Sequence, residues 1–406
     1  MTMKPFGELT TRENALRLIE ANVRPIERTE KVPLEKASGR VLAVDIVAGF
    51  DVPPFDRASM DGYSVRAADT KGVSEAKPVR FRIVAVQHTG EPYTGAVGRG
   101  ECIEIATGSP VPEGCDAVVK VEDTSMAGGT VLILREVEPG KDVAPAGEDM
   151  KKGDLVLEAG AALTPGMVGA LAALGYEAAE VYQRPRVAIY SSGPEIVPQG
   201  QPLRPGEIYD VNSFTLQAVV EAVGGEPVKR GIVRDDVEFI KAAMRDASGY
   251  DVGVFSGGSS VGSKDLFGEV IGGLGVVHFH GVKVKPGKPT LFGEVEGTPI
   301  FGMPGYPTSC LNNSYVYLAP AIRRIARLPP LELRTVTVPM GHRLASSSDR
   351  ESFITVRLVG GRAHKVFKQS GDITSMAHAD GYIIVPEGDH VIEEGEHVEV
   401  TLLPGP

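Results

Sequence analysis

Two lysines three positions apart, Lys285 and Lys288, flank a Pro-Gly turn in the segment Lys285-Pro286-Gly287-Lys288-Pro289. Ammonium groups gathered in this way repel, whereas a polyanion between them gains roughly 4 kcal/mol per charge contact at about 4 Å and an effective dielectric near 20. A phosphate or other oxyanion would explain the pair; two solvated lysines beside a turn is the plainer alternative. A second segment, Ser256-Gly257-Gly258-Ser259-Ser260-Val261-Gly262, precedes a predicted helix. Free backbone N–H groups, hydroxyls and a helix N-terminus can cradle an anion there, although a Gly-rich structural turn has the same composition. Its glycine spacing is neither a Walker A loop nor a dinucleotide fingerprint. The third segment runs from Pro53 to Tyr63 and carries Asp56, Ser59, Asp61 and Tyr63. Two carboxylates, a hydroxyl and a phenol at this density suit Mg²⁺ or a polar heterocycle, and equally a polar turn. Glu195, Asp210, Asp265 and Asp149 are further acidic candidates, each also readable as a cap or surface charge. His278 and His280 alternate along a predicted strand, and no HExxH helix exists.

The elements that must position these residues follow from periodicity. Thr10 with Glu13 predicts a capping box, and Leu16, Ile19 and Val23 continue at helical spacing. Short β-branched runs at 79–87, 101–106, 116–122 and 130–136 predict a small β domain. A helix begins at Thr164-Pro165, stops at Gly175, and is expected to close back on the N-terminal helix. From 183 onward, strands at 186–190, 228–233, 252–255, 282–284 and 299–302 alternate with helices at 213–223, 235–244, from 265, and 308–326. Alternation of this kind predicts a largely parallel, doubly wound sheet. Strands at 335–339, 353–359, 363–367, 382–385 and 397–402, with a Gly360-Gly361 hairpin turn, predict a C-terminal small β barrel or sandwich. The expected fold is therefore multidomain α/β plus β: an N-terminal linker and helical domain (1–45 and 143–182), an inserted β domain (46–142), a central α/β domain (183–328) and a C-terminal β barrel (329–406). In such an open sheet ligands bind beyond the carboxyl ends of the strands. The loops 191–195, 256–262, 285–289 and 303–307 are expected to converge there.

Composition narrows the functions. The 406 residues carry a net charge of −11, which argues against nucleic acid or anionic lipid as a general partner. Three cysteines, Cys102, Cys115 and Cys310, are odd in number and contain no CxxC pair, which fits a reducing cytosol better than a disulfide framework and leaves no spacing for a zinc cluster. Neither a signal peptide nor a membrane span is apparent, and a soluble cytoplasmic protein is expected.

The segments PPFDRASMDGY, ATGSPVPEGCDAVVKVEDT, AGEDMKKGD, SGGSSVGSKD, KVKPGKPT, MPGYPTS and QSGDITSMAHADGYIIVPEG, in that order, closely resemble the MoeA family, the molybdopterin molybdenumtransferases. The resemblance covers essentially the whole chain and extends to the gephyrin E domain. It implies a central MogA-like molybdopterin-binding domain and the last step of molybdenum cofactor synthesis. Adenylylated molybdopterin and molybdate, or tungstate, are the implied substrates, Mg²⁺ the implied ion, and AMP is released. Asp61, Glu195 and Asp265 take the implied catalytic and metal roles, with Asp235 or Asp236 as further acidic candidates. Substrate and anion contacts fall to Asp56, Ser59, Tyr63, Thr107 and Gly108, and to Ser256, Gly257, Gly258, Ser260 and Gly262. Lys285, Gly287 and Lys288 belong to the same implied set, together with Pro304, Gly305, Tyr306, Pro307 and Ser309, while Asp149 lines the family's cleft. A homodimer is implied, the α/β domain of one subunit facing the β domain of the other. Molybdopterin adenylyltransferase and molybdoenzymes or their chaperones are the implied partners. Two positions depart from the pattern: Pro194 stands where the family commonly has Asp, and Tyr306 where Asn is usual. Adenylyl transfer to molybdopterin, and a non-catalytic scaffold, are the competing readings.

Overall fold

The computed structural model describes residues 8–257, 266–366 and 368–403. It divides into two compact units: residues 31–38 with 42–180, and residues 1–30, 39–41 and 181–406.

The smaller unit is built on a six-stranded sheet in the order Ala117–Lys120, Gly62–Val65, Glu101–Ile105, Val79–Gln87, Thr130–Ile133, Thr124–Ala127. Only the pair Val79–Gln87 with Glu101–Ile105 is parallel. Tyr63, Val65, Phe81, Cys102, Val119, Val131 and Ile133 form its core. Burial of each such large apolar side chain is worth about 1.5–3 kcal/mol. The helix Pro165–Ala173 starts as its sequence predicts, with Thr164 Oγ1 accepting from Met167 N at 3.3 Å and Pro165 in the first turn. It packs on the turn Leu34–Lys36.

In the larger unit the strands Glu226–Val233, Arg186–Ser192, Val252–Ser256 and Thr298–Met303 are parallel neighbours in that order. Two more strands extend the sheet: Leu291–Val295, antiparallel to Thr298–Met303, and then Gly275–His280, antiparallel to Leu291–Val295 and so running with the other four. The hairpin makes the sheet mixed, because a short connection can only return a strand antiparallel. Side chains alternate between two cores. Val187, Ile189, Val252, Val254 and Phe301 face Leu216, Val219, Tyr317 and Ile322, while Ala188, Tyr190, Phe255 and Ile300 face Ile240, Met244, Phe267 and Val270. Helices thus cover both faces, which makes this part doubly wound.

The N-terminal helix Arg12–Asn22 belongs to the first of these cores through Ala15, Ile19 and Val23. Its cap is Thr11, whose Oγ1 accepts from Asn14 N at 3.2 Å, one residue later than the Thr10 pattern predicts. The helix Val237–Ala247 is likewise capped by Asp236 instead of Asp235. The expected helix over 308–326 is the run Pro307–Asn313, Ser314–Leu318 and Ala319–Ile325, whose middle part is a π-turn. Pro320, just beyond it, has no N–H to complete the ordinary α-helical ladder.

C-terminal strands run Thr335–Pro339, His397–Leu402, Gly381–Val385, Glu351–Val359, Arg362–Lys365. Met340 and Ala363 then form a bridge, so the path nearly closes as a small barrel. The ribbon Leu344–Ser348 with Gly388–Ile392 lies outside this path, and both strands are too polar and short to read from sequence. Arg12 Nε donates to Glu351 Oε2 at 2.7 Å and ties the N-terminal helix to this module.

Candidate active site

At the carboxyl ends of the parallel strands a chain of polar contacts replaces the apolar core. Ser256 Oγ lies 3.5 Å from Ser191 Oγ, which donates to Asp210 Oδ1 at 2.8 Å, and the same oxygen accepts from Ser213 N at 3.1 Å. Ser192 donates its hydroxyl to Asp235. Asp236 is spent on its helix cap, leaving Asp235 as the one of the two that faces the strand end. The Met303–Pro307 loop crosses directly above: Gly257 N donates to Met303 O at 3.2 Å, and Asn212 Nδ2 to Gly305 O at 2.9 Å. Gly257 has φ of +94°, and a Cβ there would stand 2.0 Å from Ser192 O, so the strand-end crossing requires glycine. Among the described residues, Asn212 Oδ1 and Ser213 Oγ are buried and find no hydrogen-bond partner. Unpaired polar atoms at the end of a parallel sheet suit a polar ligand.

Tyr306 is exposed at the rim, and Pro307 opens the following helix, in whose first turn Ser309 is buried. Thr308 N donates to Ser370 O at 3.0 Å and Thr308 Oγ1 to Asp372 O at 2.9 Å, so the Gln369–Asp372 segment is fastened to this loop. Glu195 is exposed next to Gly193. Gly258, Ser260, Gly262 and Asp265 lie outside the described residues.

The lysine turn is not on the central sheet. Val284–Lys285 pairs in parallel with Glu351–Ser352 of the C-terminal module, a placement that the 282–284 strand expectation missed. Lys285 opens on a cleft of about 380 Å³ lined also by Ser347, Ser348, Asp349, Arg350, Gly388 and Asp389. Arg350 Nε donates to Asp349 Oδ1 at 2.9 Å; that bond, the Arg350 charge and the field of Lys288 hold the Asp349 carboxyl below its ordinary pKa. Sequence reasoning missed Arg350 and its neighbours. No local motif marks them, because a strand pairing across some 65 positions brings them to Lys285.

In the smaller unit, three of the singled-out segments interlock. Thr107 donates both its N–H and its hydroxyl to Asp61 Oδ1 at 2.7 Å, and no described residue donates to Oδ2. These bonds, the backbone one first, hold Asp61 ionised by lowering its pKa. Gly108 N donates to Ala58 O at 2.8 Å, Ser59 N to Asp142 O at 2.9 Å, and Ala146 N to Asp56 Oδ1 at 2.8 Å. Asp56 therefore staples loops, and Asp149 N is bound to Val52 O. Tyr63 lies elsewhere than expected: it is 4% exposed in the sheet core and its hydroxyl donates to the Met126 sulfur at 3.3 Å, because Gly62–Val65 is a buried central strand.

Among the described residues, no three His, Cys, Asp or Glu side chains converge as a metal site. The donor chemistry of Asp61 still fits Mg²⁺, which keeps most of its waters and takes one or two carboxylates with substrate phosphates. Thiol chemistry has no support, since burial pushes both Cys102 and Cys310 up to about 12. No helix among the described residues is long and apolar enough to cross a membrane.

A doubly wound α/β domain with a polar cluster at the strand ends, joined in one chain to a sheet-based N-terminal region and a C-terminal β module, defines a multidomain class within the molybdopterin-binding folds. Residues 10–175 match the MoeA N-terminal region (domain I and II), 188–324 the probable molybdopterin binding domain, and 337–403 the MoeA C-terminal region (domain IV). A Nostoc protein named molybdopterin molybdenumtransferase is 34% identical over 391 residues, covering 93% of this chain and 89% of its own. Molybdopterin molybdenumtransferase 2 of Mycobacterium tuberculosis is also 34% identical, over 91% and 94%. The crystal structure of a molybdopterin biosynthesis MoeA protein from Pyrococcus horikosii superposes with a TM-score of 0.86 at 40% identity, over 98% of this chain and all of that one. The chain belongs to the MoeA family.

Proposed function

We propose that this protein is a molybdenum insertase, transferring molybdate into adenylylated molybdopterin with release of AMP. The observation that carries the reading lies at the carboxyl ends of the central strands, where, among the described residues, Asn212 Oδ1 and Ser213 Oγ are buried and find no hydrogen-bond partner. An acceptor and a hydroxyl at that place suit the ring edge of a pterin, and the names borne by the relatives from Nostoc and Mycobacterium tuberculosis support that choice. The Lys285/Lys288 turn supplies the cationic contacts that an incoming tetrahedral oxyanion needs. Among the described residues, Asp61 is the carboxylate that would hold Mg²⁺, and Glu195 is a separate candidate for the same role. A bound Mg²⁺ would neutralise charge on the phosphoric anhydride as AMP leaves. Thr107 keeps Asp61 deprotonated for that role. A homodimer, a cytoplasmic location, and handover to molybdoenzymes or their chaperones complete the proposal.

The deciding experiment follows AMP release from adenylylated molybdopterin with Mg²⁺ while molybdate and tungstate are titrated separately and metal in the product is measured. Release coupled to metal incorporation is expected. Formation of adenylylated product from ATP and metal-free molybdopterin would instead favour the adenylyltransferase reading, which the isolated α/β domain also suits. Tight binding without release would favour a scaffold.

A further inference from the structure

We propose that Asn313 is a positioning residue for the lysine turn, fixing its backbone so that Lys285 and Lys288 are presented together to the oxyanion. This inference rests on the reading of that turn as the oxyanion site. Asn313 and Thr290 are both completely buried. Asn313 Nδ2 donates to Gly287 O at 2.9 Å and to Thr290 Oγ1 at 2.6 Å, and Thr290 Oγ1 donates to the same Gly287 O at 2.9 Å. Asn312 Nδ2 completes the set by donating to Asn313 Oδ1 at 3.1 Å. Every polar atom of the carboxamide is thereby used within a dry interior, where such a network is stiff and its loss is felt.

The shape of the turn depends on the same amide. Gly287 has φ of +109°, and a Cβ at that position would stand 2.3 Å from Asn313 Nδ2, so the carboxamide lies flat against the turn at its one glycine. The rest of the turn is already held. Lys285 is paired to the strand that begins at Glu351, and Lys288 O accepts from Val282 N and Thr290 N, both at 2.9 Å. The Gly287 carbonyl at the apex is held by side chains. Asn313 ends the helix Pro307–Asn313, and the π-turn Ser314–Leu318 follows at once. The register change lets one face of the helix carry this polar plug while Tyr317, Leu318 and Ile322 stay in the apolar core. Asn313 is shut off from solvent, and on this reading it acts through Gly287.

The test uses the purified full-length chain, with molybdate titrated calorimetrically and AMP release measured against each substrate. Asn313→Leu and Thr290→Val are expected to weaken molybdate binding about tenfold or more and to raise the molybdate KM by the same factor. They should leave kcat at saturating molybdate, and KM for the adenylylated substrate, within about twofold, the pattern of lost uniform binding. Thr290→Ser, which keeps the hydroxyl, should return molybdate affinity to within about twofold of the natural chain. Wild-type molybdate affinity in a folded Asn313→Leu or Thr290→Val protein overturns the proposal, as does a fall in kcat with both KM values unchanged. If Asn313→Leu does not fold, the Thr290→Val and Thr290→Ser pair decides. Lys285→Ala separates the two levels: if it leaves molybdate affinity unchanged, the oxyanion reading of the turn fails and takes this inference with it. If Lys285→Ala weakens binding while the Asn313 and Thr290 variants do not, only the positioning role is lost.

Discussion

Asp61 gains its character from one neighbour. Two donors of Thr107 on a single carboxylate oxygen favour the charged form, so the group takes up its proton only below the ordinary carboxylate value of 3.8. The sign follows directly. A depressed pKa contributes stability that is present above the unfolded value and lost as pH falls through the folded one, leaving the neutral range flat for this group. Thr107→Val should move the Asp61 titration upward toward 3.8, measured by carboxyl carbon NMR; an unmoved titration would mean that the hydroxyl bond does not favour the anion. Asp61→Ala should abolish metal insertion while the protein still folds, with at most a small loss of thermal stability, since the side chain is exposed and its loss leaves only the exposed Thr107 donors to water. Asp210 is the opposite case. It is 7% exposed and accepts from Ser191 Oγ and Ser213 N, so Asp210→Ala strands two buried donors and should lower stability by about 1–3 kcal/mol in urea unfolding.

At the level of elements, position follows from how strands end. Val252–Ser256 and Arg186–Ser192 stop side by side, and the chain leaving Ser256 passes so close to Ser192 O that only glycine fits at 257. Gly257→Ala should destabilise by about 1–3 kcal/mol and weaken substrate binding, checked by denaturant unfolding beside an equilibrium titration. The lysine turn obeys a different element. Because Val284–Lys285 is an edge of the C-terminal sheet, Lys285→Ala should leave folding intact and chiefly weaken oxyanion affinity, seen as a raised molybdate KM. The elements themselves were mostly legible in the sequence. The Thr164-Pro165 start, the Gly360-Gly361 turn with both φ values positive, and the alternation from 186 onward each announce themselves locally. The strand Leu291–Val295 did not, because its five residues, Leu-Phe-Gly-Glu-Val, have neither helical nor alternating period.

For the whole molecule, the proposed homodimer has a simple check: sedimentation equilibrium should give twice the 43.0 kDa of the chain, and a monomeric mass under assay conditions would remove it. Domain bookkeeping also looks different at this scale. The sequence divides at composition changes, whereas packing assigns the N-terminal helix to the larger unit, since Ala15, Ile19 and Val23 bury against Tyr317 and Ile322 some 300 positions away.

The sequence by itself determined the family, the α/β and β content, and the segments that carry chemistry, because turn residues, caps and short motifs are local properties of neighbouring side chains. Tertiary structure alone decided what each of those residues does. It turned Tyr63 into a core residue, assigned Asp56 to stapling loops and Asp236 to a helix cap, set Arg350 beside Lys285, and laid Asn313 against Gly287. Each of these depends on strand pairing or burial between positions far apart in the chain. A residue type states what a side chain can bond to, and only the fold settles what stands within reach.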